Sequence, residues 1–229
     1  ANCTDANTYG LSCNNPSMDP EHSLPYLILV GALNADGTKA SYSTAGSAIW
    51  ISAPGGESGL DQNIVGAGYG DYSPGIMTTD QSSCTKGYVR SNLASYKNVF
   101  ENKGNYSLNS SCNYTSTFKG TSAAAPVISG IVALLLEVNP ALTWRDIKHI
   151  LASSAIQIDA SIQAIVVGGY IAEPGWTTNA AGYKFHNWYG FGAVDTDAAV
   201  TLAKNYTLGS LGSFITTNET SSGNLNAAI

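Results

Sequence analysis

The sequence predicts an α/β fold in which helices pack on a mostly parallel sheet. Two short and almost continuously apolar segments, at 24–33 and 48–53, are typical of strands buried on both faces. Two helical patterns follow much later in the chain, at 123–138 and at 143–155. Because these helical segments carry apolar surface that must be covered, packing them on the buried strands is the favoured architecture.

Both predicted strands end at clear turn signals. The first, "LPYLILVGAL" (24–33), runs into Asn-Ala-Asp-Gly at 34–37, and the second is stopped by Pro-Gly-Gly at 54–56. Residues 55–118 are rich in Gly, Ser, Asn and Tyr and show little periodicity. We expect loops with a few short strands in that region.

The first two predicted helices differ in how much of their surface is apolar. Residues 123–138 are apolar on nearly every side, so this helix is expected to be buried. The next helix is amphipathic, with Thr143 as its cap and Asp146 at the capping-box position. A third, short helix is predicted after Asp195, in "TDAAVTLAK".

Composition and charge argue against some partners. Only 11% of the residues are charged, against about 25% in ordinary soluble domains, and the net charge is −6 with no cluster of Lys or Arg. Nucleic acid binding needs concentrated positive charge, so the sequence argues against that partner. Pro126, Ser129 and Gly130 interrupt the longest apolar run, so no membrane span of about 18 apolar residues is predicted.

The four cysteines fall in two local pairs, Cys3 with Cys13 and Cys84 with Cys112. No CxxC is present and no His lies near a cysteine at metal-ligand spacing. Of the three possible pairings we favour these two local disulfides, which indicate an oxidising compartment and a secreted or periplasmic protein. Four buried free thiols remain the alternative.

Ser122 is the candidate nucleophile because of its place in the chain. It follows Gly120 and Thr121 and lies where a glycine-rich loop meets the predicted buried helix. The N–H groups at a helix N-terminus create a positive field that can stabilise an oxyanion. The alternative is that the Ser122 hydroxyl only caps the helix, and spacing alone does not decide between the two.

Longer segments of the chain resemble a known family. "GTSAAAPVISGIVALLLEVNPALTWRDIKHIL" (120–151) resembles the nucleophile segment of the subtilisin-like serine proteases. Within it "NPALTWRDIKHIL", and further on "NWYGFGAVDTDAAV" (187–200), resemble the kexin and proprotein-convertase branch. "LILVGALNADGTKASYSTAGSAIWISAPGG" (27–56) is similar to an upstream strand–turn–strand stretch of the same fold.

The resemblance implies a subtilisin-like three-layer α/β fold that is incomplete at its N-terminus, with residues 1–205 as the C-terminal part of the peptidase domain. It implies that Ser122 attacks a peptide carbonyl and forms an acyl-enzyme. In that family the Asp and the His of the triad precede the Ser in the chain, and no motif typical of either is found here. We therefore expect this chain alone to lack a complete triad and to be inactive.

Three histidines are weighed as the base for Ser122. His22 lies in a Pro-flanked loop, "DPEHSLP", and His186 precedes the structural segment "NWYGFG". His149 lies on the amphipathic helix, at a position where the family also has a His without catalytic duty. All three are interpreted as non-catalytic.

The resemblance also implies a polypeptide substrate and no organic cofactor. Gly120 and Thr121 are expected to contact the substrate, together with Asp5, because the convertase branch has a pocket Asp near a Cys in this part of its chain. Calcium is possible, since subtilisin-like enzymes commonly bind it through loop oxygens. Lys39, however, stands where the convertase branch has an acidic residue near a calcium site, and the loop carboxylates, Asp19 among them, are interpreted as solvated surface. The metal ligands therefore stay unassigned.

The remaining expectations concern residues 206–229 and two alternative functions. Residues 206–229 are interpreted as a linker or as the start of a β module like the P domain of the convertase branch. A catalytically dead, secreted binding or scaffold module is one alternative function. A penicillin-recognising acyl enzyme acting through Ser116, in Ser-x-x-Lys with Lys119, is the other, although its companion motifs are absent.

Overall fold

The structure is a computed structural model that describes residues 13–69 and 71–213, together with residues 6, 8, 9 and 11. In chain order, the strands and α-helices are β1 (Leu29–Leu33), β2 (Ile49–Pro54), α1 (Gln62–Val65), β3 (Ile76–Thr79), β4 (Tyr114–Phe118), α2 (Thr121–Val138), α3 (Trp144–Ser154), β5 (Ile165–Val167), β6 (Tyr170–Glu173), β7 (Thr177–Thr178), β8 (Lys184–Phe185) and α4 (Thr196–Lys204). Short 3-10 helices lie at Pro16–Met18, Pro20–Ser23, Val99–Glu101 and Ser107–Asn109.

The two apolar strands pair in parallel, as the predicted α/β fold requires. Val30 lies opposite Ile51 and Ala32 lies opposite Ala53. On the other side of β2, Ser52 accepts a hydrogen bond from the Val194 N–H over 2.9 Å and donates its own N–H to the Gly192 carbonyl over 2.8 Å. The segment just before α4 therefore extends the parallel sheet by a further bridge.

Two helices pack on this sheet, and a third packs on both of them. α2 packs on β1, β2 and α4, and α3 packs on β2 and α4. The shared core is aliphatic and contains Ala32, Ile51, Ala53, Ile128, Ile131, Leu135, Ile150, Leu151, Ala199 and Ala203. The predicted capping box of α3 is present, since the Thr143 hydroxyl accepts from the Asp146 N–H and the Asp146 side chain accepts from the Thr143 N–H. Asp195 caps α4 by accepting from the Ala198 N–H over 2.9 Å.

The prediction that α2 is buried on every side is wrong. Its buried residues follow helical spacing and form one face, which lies against β1 and β2: Ala123, Ala124, Ile128, Ile131 and Leu135. On the opposite side Val127, Leu134 and Leu136 are 39%, 48% and 37% exposed. A helix pressed against a sheet on one side buries only that side, whatever residues the other side carries.

α2 also corrects the expectation about membrane spans. By length and composition it could cross a membrane, despite Pro126 and Gly130 within it. Its contacts with the sheet and with α4 are those of a core helix in a layered fold.

The long loop region between β2 and α2 contains the predicted short strands. β3 and β4 form an antiparallel pair in which Thr79 lies opposite Tyr114. A disulfide joins Cys84 to Cys112, as predicted. Cys13 is also disulfide-bonded, and Cys3, the partner predicted for it, lies outside the described residues.

Candidate active site

Gly120 forms the turn that leads into α2. Its φ of 125° and ψ of 164° belong to a backbone region that is essentially restricted to glycine. The Gly120 N–H donates to the Gly55 carbonyl over 3.0 Å and to the Tyr42 hydroxyl over 2.9 Å. The segment after β2 and the Tyr42 side chain therefore hold this turn together.

Ser122 is the second residue of α2, and its side chain is exposed. The cap residue of the helix is Gly120, so the alternative that Ser122 caps the helix is wrong. The Gly120 carbonyl accepts from the N–H groups of Ala123 and Ala124 over 2.9 and 3.3 Å. The Ser122 N–H belongs to the first turn, where helical N–H groups lack an intrahelical partner. Both the hydroxyl and the N–H of Ser122 can therefore serve a ligand.

Ser122 and Thr121 lie in the wall of an open cavity of about 670 Å³, which we call the Ser122 cavity. The loop that precedes β1 also lines this cavity, with Asp19, Glu21 and His22. β1 adds apolar wall through Leu29 and Val30, and β2 adds Ile49. A groove of this size with apolar and acidic parts can hold the side chain of a peptide residue.

The charged side chains of this cavity are acidic. Asp19 and Glu21 lie in its wall, and among the described lining residues there is no Lys or Arg. The Asp19 Oδ1 accepts from the Glu21 N–H over 3.0 Å, which fixes the loop as a 3-10 turn. Opposite charge across a cavity favours binding, so this cavity suits a positively charged side chain.

The three histidines have separate environments. His22 lies in the Ser122 cavity, where its Nδ1 is 2.9 Å from the Pro16 carbonyl and its Nε2 is 3.9 Å from the Asp19 carboxylate. His149 on α3 contacts the hydroxyls of Tyr183 and Tyr206 at 3.0 and 3.1 Å. Neither His149 nor His186 lines the Ser122 cavity.

His186 is a buried core histidine. It is 2% exposed, its Nδ1 accepts from the Trp188 N–H over 3.0 Å, and Trp176 and Tyr189 pack around its ring. Burial lowers the pKa of His186 to about 4, against an opposing influence of the Asp159 carboxylate. The ring is therefore neutral at neutral pH, and it takes part in packing.

The Ser-x-x-Lys pair does not assemble. The Ser116 hydroxyl accepts from the Asn98 side-chain amide over 3.0 Å. The Lys119 ammonium lies over the Tyr42 ring, 5.8 Å from its centroid. An acyl enzyme of that class needs the ammonium at the serine, so this geometry argues against the alternative function through Ser116.

Lys39 stands where the resemblance places an acidic residue near a calcium site, and its ammonium is held by hydrogen bonds within the chain. Its ammonium donates to the carbonyls of Ala40 and Ser43 over 3.1 and 3.0 Å and lies 5.4 Å from the Trp188 ring centroid. Burial lowers the pKa of Lys39, while the Glu57 carboxylate opposes that shift. Among the described residues no three His, Cys, Asp or Glu side chains form a group that could hold a metal.

Sequence reasoning missed several residues of the site. Asp5 lies outside the described residues, so its substrate role stays a prediction. Asp19, interpreted as solvated surface, is exposed, and with Glu21 it also lines the Ser122 cavity, which the sequence did not indicate. The available signal was the short run at 19–22, in which Asp19 and Glu21 flank Pro20 and His22 follows. Nothing in the sequence pointed to Tyr42, because its link to Gly120 spans 78 residues.

An α/β fold with an exposed serine at a helix N-terminus is an architecture used by serine hydrolases. The model of the subtilase family matches residues 5–192, and the chain belongs to this family.

Named relatives agree with the resemblance to subtilisin-like proteases and their kexin-like branch. The chain is 38% identical over 205 residues to the Aeromonas extracellular serine protease of Aeromonas sobria, covering 86% of this chain and 31% of that protein. It is 31% identical over 166 residues to the human proprotein convertase subtilisin/kexin type 5, covering 69% of this chain and 8% of that protein.

A solved structure agrees as well. The crystal structure of the serine protease of Aeromonas sobria superposes with a TM-score of 0.71, covering 85% of this chain and 32% of that one. The chain therefore spans about a third of the length of this relative.

Proposed function

We propose that this chain carries the nucleophile of a secreted subtilisin-like serine endopeptidase. The observation that carries the proposal is the exposed hydroxyl of Ser122 in the first turn of α2, on the wall of the Ser122 cavity. In the reaction, Ser122 Oγ bonds to the carbonyl carbon of a peptide, and the C–N bond breaks as the amine leaves with a proton. Water then hydrolyses the acyl-enzyme and restores the serine hydroxyl.

The backbone at the start of α2 stabilises the oxyanion. The Ser122 N–H and the positive end of the α2 dipole point to the place where negative charge develops. The exposed Thr121 lies in the cavity wall, and it is assigned to border the peptide on this side together with Gly120, which precedes it and has no side chain. A second oxyanion donor comes from an Asn upstream in the family pattern, outside this chain.

The acidic Ser122 cavity favours a basic residue next to the scissile bond. Asp19 and Glu21 offer carboxylates to a lysine or arginine side chain, and the apolar wall from Leu29 and Val30 packs along its methylene groups. Asp5 is proposed to add to this charge. The substrate is therefore a polypeptide with an exposed basic residue.

The base that takes the Ser122 proton is assigned to polypeptide outside this chain. Subtilisin-like enzymes place the Asp and the His before the Ser, and the exposed apolar residues Val127, Leu134 and Leu136 on α2 suit a surface that further polypeptide covers. His22 is the competitor within the chain, because it shares the cavity with Ser122.

The remaining assignments follow from the same identification. The Cys84–Cys112 disulfide supports a secreted or periplasmic location. Residues 1–205 are assigned to the peptidase domain, and 206–229 to a linker or the start of a P-domain-like β module. No organic cofactor takes part, and calcium, where the whole protein binds it, has no ligands assigned in this chain.

A fluorophosphonate that labels activated serines tests the proposal on the chain of 229 residues. We expect no labelling of this chain alone, and labelling at Ser122 when the same segment is part of a protein with the upstream Asp and His. Ser122→Ala is the control for the site and His22→Asn is the control for the base. Labelling of the chain alone that His22→Asn abolishes would overturn the assignment of the base.

The main competing function is a catalytically dead binding or scaffold module that keeps the fold. It predicts that Ser122 stays unlabelled in the longer protein as well, even though peptides with basic residues bind. Measuring labelling and peptide binding on the same longer protein separates the two functions.

A further inference from the structure

A second cavity, of about 390 Å³, lies between α3 and the edge of β2, and we call it the aromatic cavity. Its walls include Trp50 of β2, Trp144 of α3, Tyr183 and Phe191. Phe191 packs edge-on against Trp50 with ring centroids 4.8 Å apart, and Tyr183 lies 5.9 Å from Phe191. An open, aromatic-walled cavity of this kind binds an apolar side chain.

The basic side chains around the aromatic cavity are already engaged. The Lys148 ammonium lies 4.1 Å from the Trp50 ring centroid and donates to the carbonyls of Pro25 and Leu27, each over 3.0 Å. The Trp50 Nε1–H donates to the Lys148 carbonyl over 2.9 Å. These contacts hold the Trp50 and Lys148 side chains in place without an occupant. They also engage the Lys148 ammonium, so it is not available to attract an anionic ligand.

The chain itself leads to this cavity. Leu211 lies in its wall, and the Arg145 guanidinium donates to the carbonyls of Leu211 and Gly212 over 3.0 and 2.9 Å. Phe214 follows Gly212 by two residues, and two residues span at most about 7 Å. The described chain therefore ends two residues after Leu211, which lies in the wall of the cavity, and Phe214 and Ile215 are the next residues in the sequence.

After Gly212, the sequence places two large apolar residues ahead of a polar run. Phe214 and Ile215 are large and apolar, and the next nine residues, "TTNETSSGN", are polar or glycine. We propose that the Phe214–Ile215 segment of this chain occupies the aromatic cavity and anchors the rest of 206–229 to α3. This anchor is independent of whether Ser122 is catalytic.

Hydrogen exchange on the full chain provides the first test. Phe214→Ser with Ile215→Ser empties the cavity, and we expect amide exchange in α3 to accelerate about tenfold because apolar burial is lost there. The matched control is Thr216→Ser with Thr217→Ser, which should leave exchange in α3 unchanged. Equal exchange in both double variants would overturn the proposal.

Photo-crosslinking identifies the occupant directly. p-Benzoylphenylalanine in place of Phe214 should crosslink to the peptide that contains Trp144 and Lys148, and Ala152→Arg, which fills the cavity, should abolish that product. A mixture of isotopically light and heavy chains separates the routes. Crosslinks between light and heavy chains would show that a second copy supplies the segment, and crosslinks elsewhere would place it on another surface; either result overturns the proposal.

Discussion

The Tyr42 hydroxyl and the Gly120 N–H are hydrogen-bonded over 2.9 Å across 78 residues of chain. The one hydrogen of the same hydroxyl is shared between the carbonyls of Gly55 and Gly56, which lie 2.9 and 2.6 Å from the phenol oxygen. One phenol therefore joins the loop after β2 to the turn that begins α2. Because Ser122 follows this turn by two residues, Tyr42 sets the position of the candidate nucleophile.

Removing the Tyr42 hydroxyl should destabilise the fold. Tyr42→Phe leaves the partly buried Gly120 N–H with only its Gly55 bond and deprives two carbonyls of a donor, at a cost of about 1–3 kcal/mol in the free energy of unfolding. Urea denaturation measures this loss. Tyr170→Phe is the control, because Tyr170 is 74% exposed, and its free energy should change by less than about 0.5 kcal/mol. Equal stability of the two variants would refute the role of the phenol.

Two glycine substitutions near Ser122 should act in opposite directions. Gly120→Ala forces a side chain into a backbone conformation with φ 125° and should cost about 1–3 kcal/mol of unfolding free energy. Gly130 lies within α2 with open space at its Cβ position, so Gly130→Ala should stabilise by about 0.5–1 kcal/mol. Thermal melts of both variants test the pair, and a stabilised Gly120→Ala variant would contradict the assigned turn.

His186 should make the folded chain less stable in mild acid. Its folded pKa of about 4 lies below the ordinary value of 6.5, so the unfolded chain takes up this proton first. The contribution is complete above pH 6.5 and declines as the pH falls towards 4, by about 2 kcal/mol between pH 7.5 and 5. His186→Asn keeps an acceptor for the Trp188 N–H and should flatten the curve of unfolding free energy against pH. Parallel curves for the two proteins would count against the buried neutral ring.

The Cys84–Cys112 disulfide should stabilise the loop region strongly. It joins positions 28 residues apart, and the chain-entropy treatment gives roughly 3–4 kcal/mol for closing such a loop. Cys84→Ser should lower the free energy of unfolding by this amount in urea. Adding Cys112→Ala should cost little more, because either change opens the loop. A large additional loss would indicate that packing around the buried Cys112 contributes more than the covalent constraint.

Local sequence signals located the elements of the core, β1, β2, α2, α3 and α4, but not α1 or the short strands β5 to β8. The apolar segments became β1 and β2, and the Thr143–Asp146 capping box marks the start of α3, because strand burial and helix capping depend on neighbouring residues. The exposure of Leu134 was not predictable, since the apolar pattern of α2 does not say which side meets the sheet.

For the candidate site, the sequence by itself identified Ser122 as the candidate nucleophile. It also carried the resemblance to subtilisin-like proteases, which the family match confirmed. Only the tertiary structure decided that Gly120, not Ser122, caps α2, that Tyr42 holds the turn, and that Asp19 shares a cavity with the serine. The motif around Ser122 and the capping box of α3 are encoded by adjacent residues, whereas the turn at Gly120 depends on its hydrogen bonds to Gly55 and Tyr42. A hydrogen bond across 78 residues, or a cavity wall built from distant loops, exists only once the chain has packed.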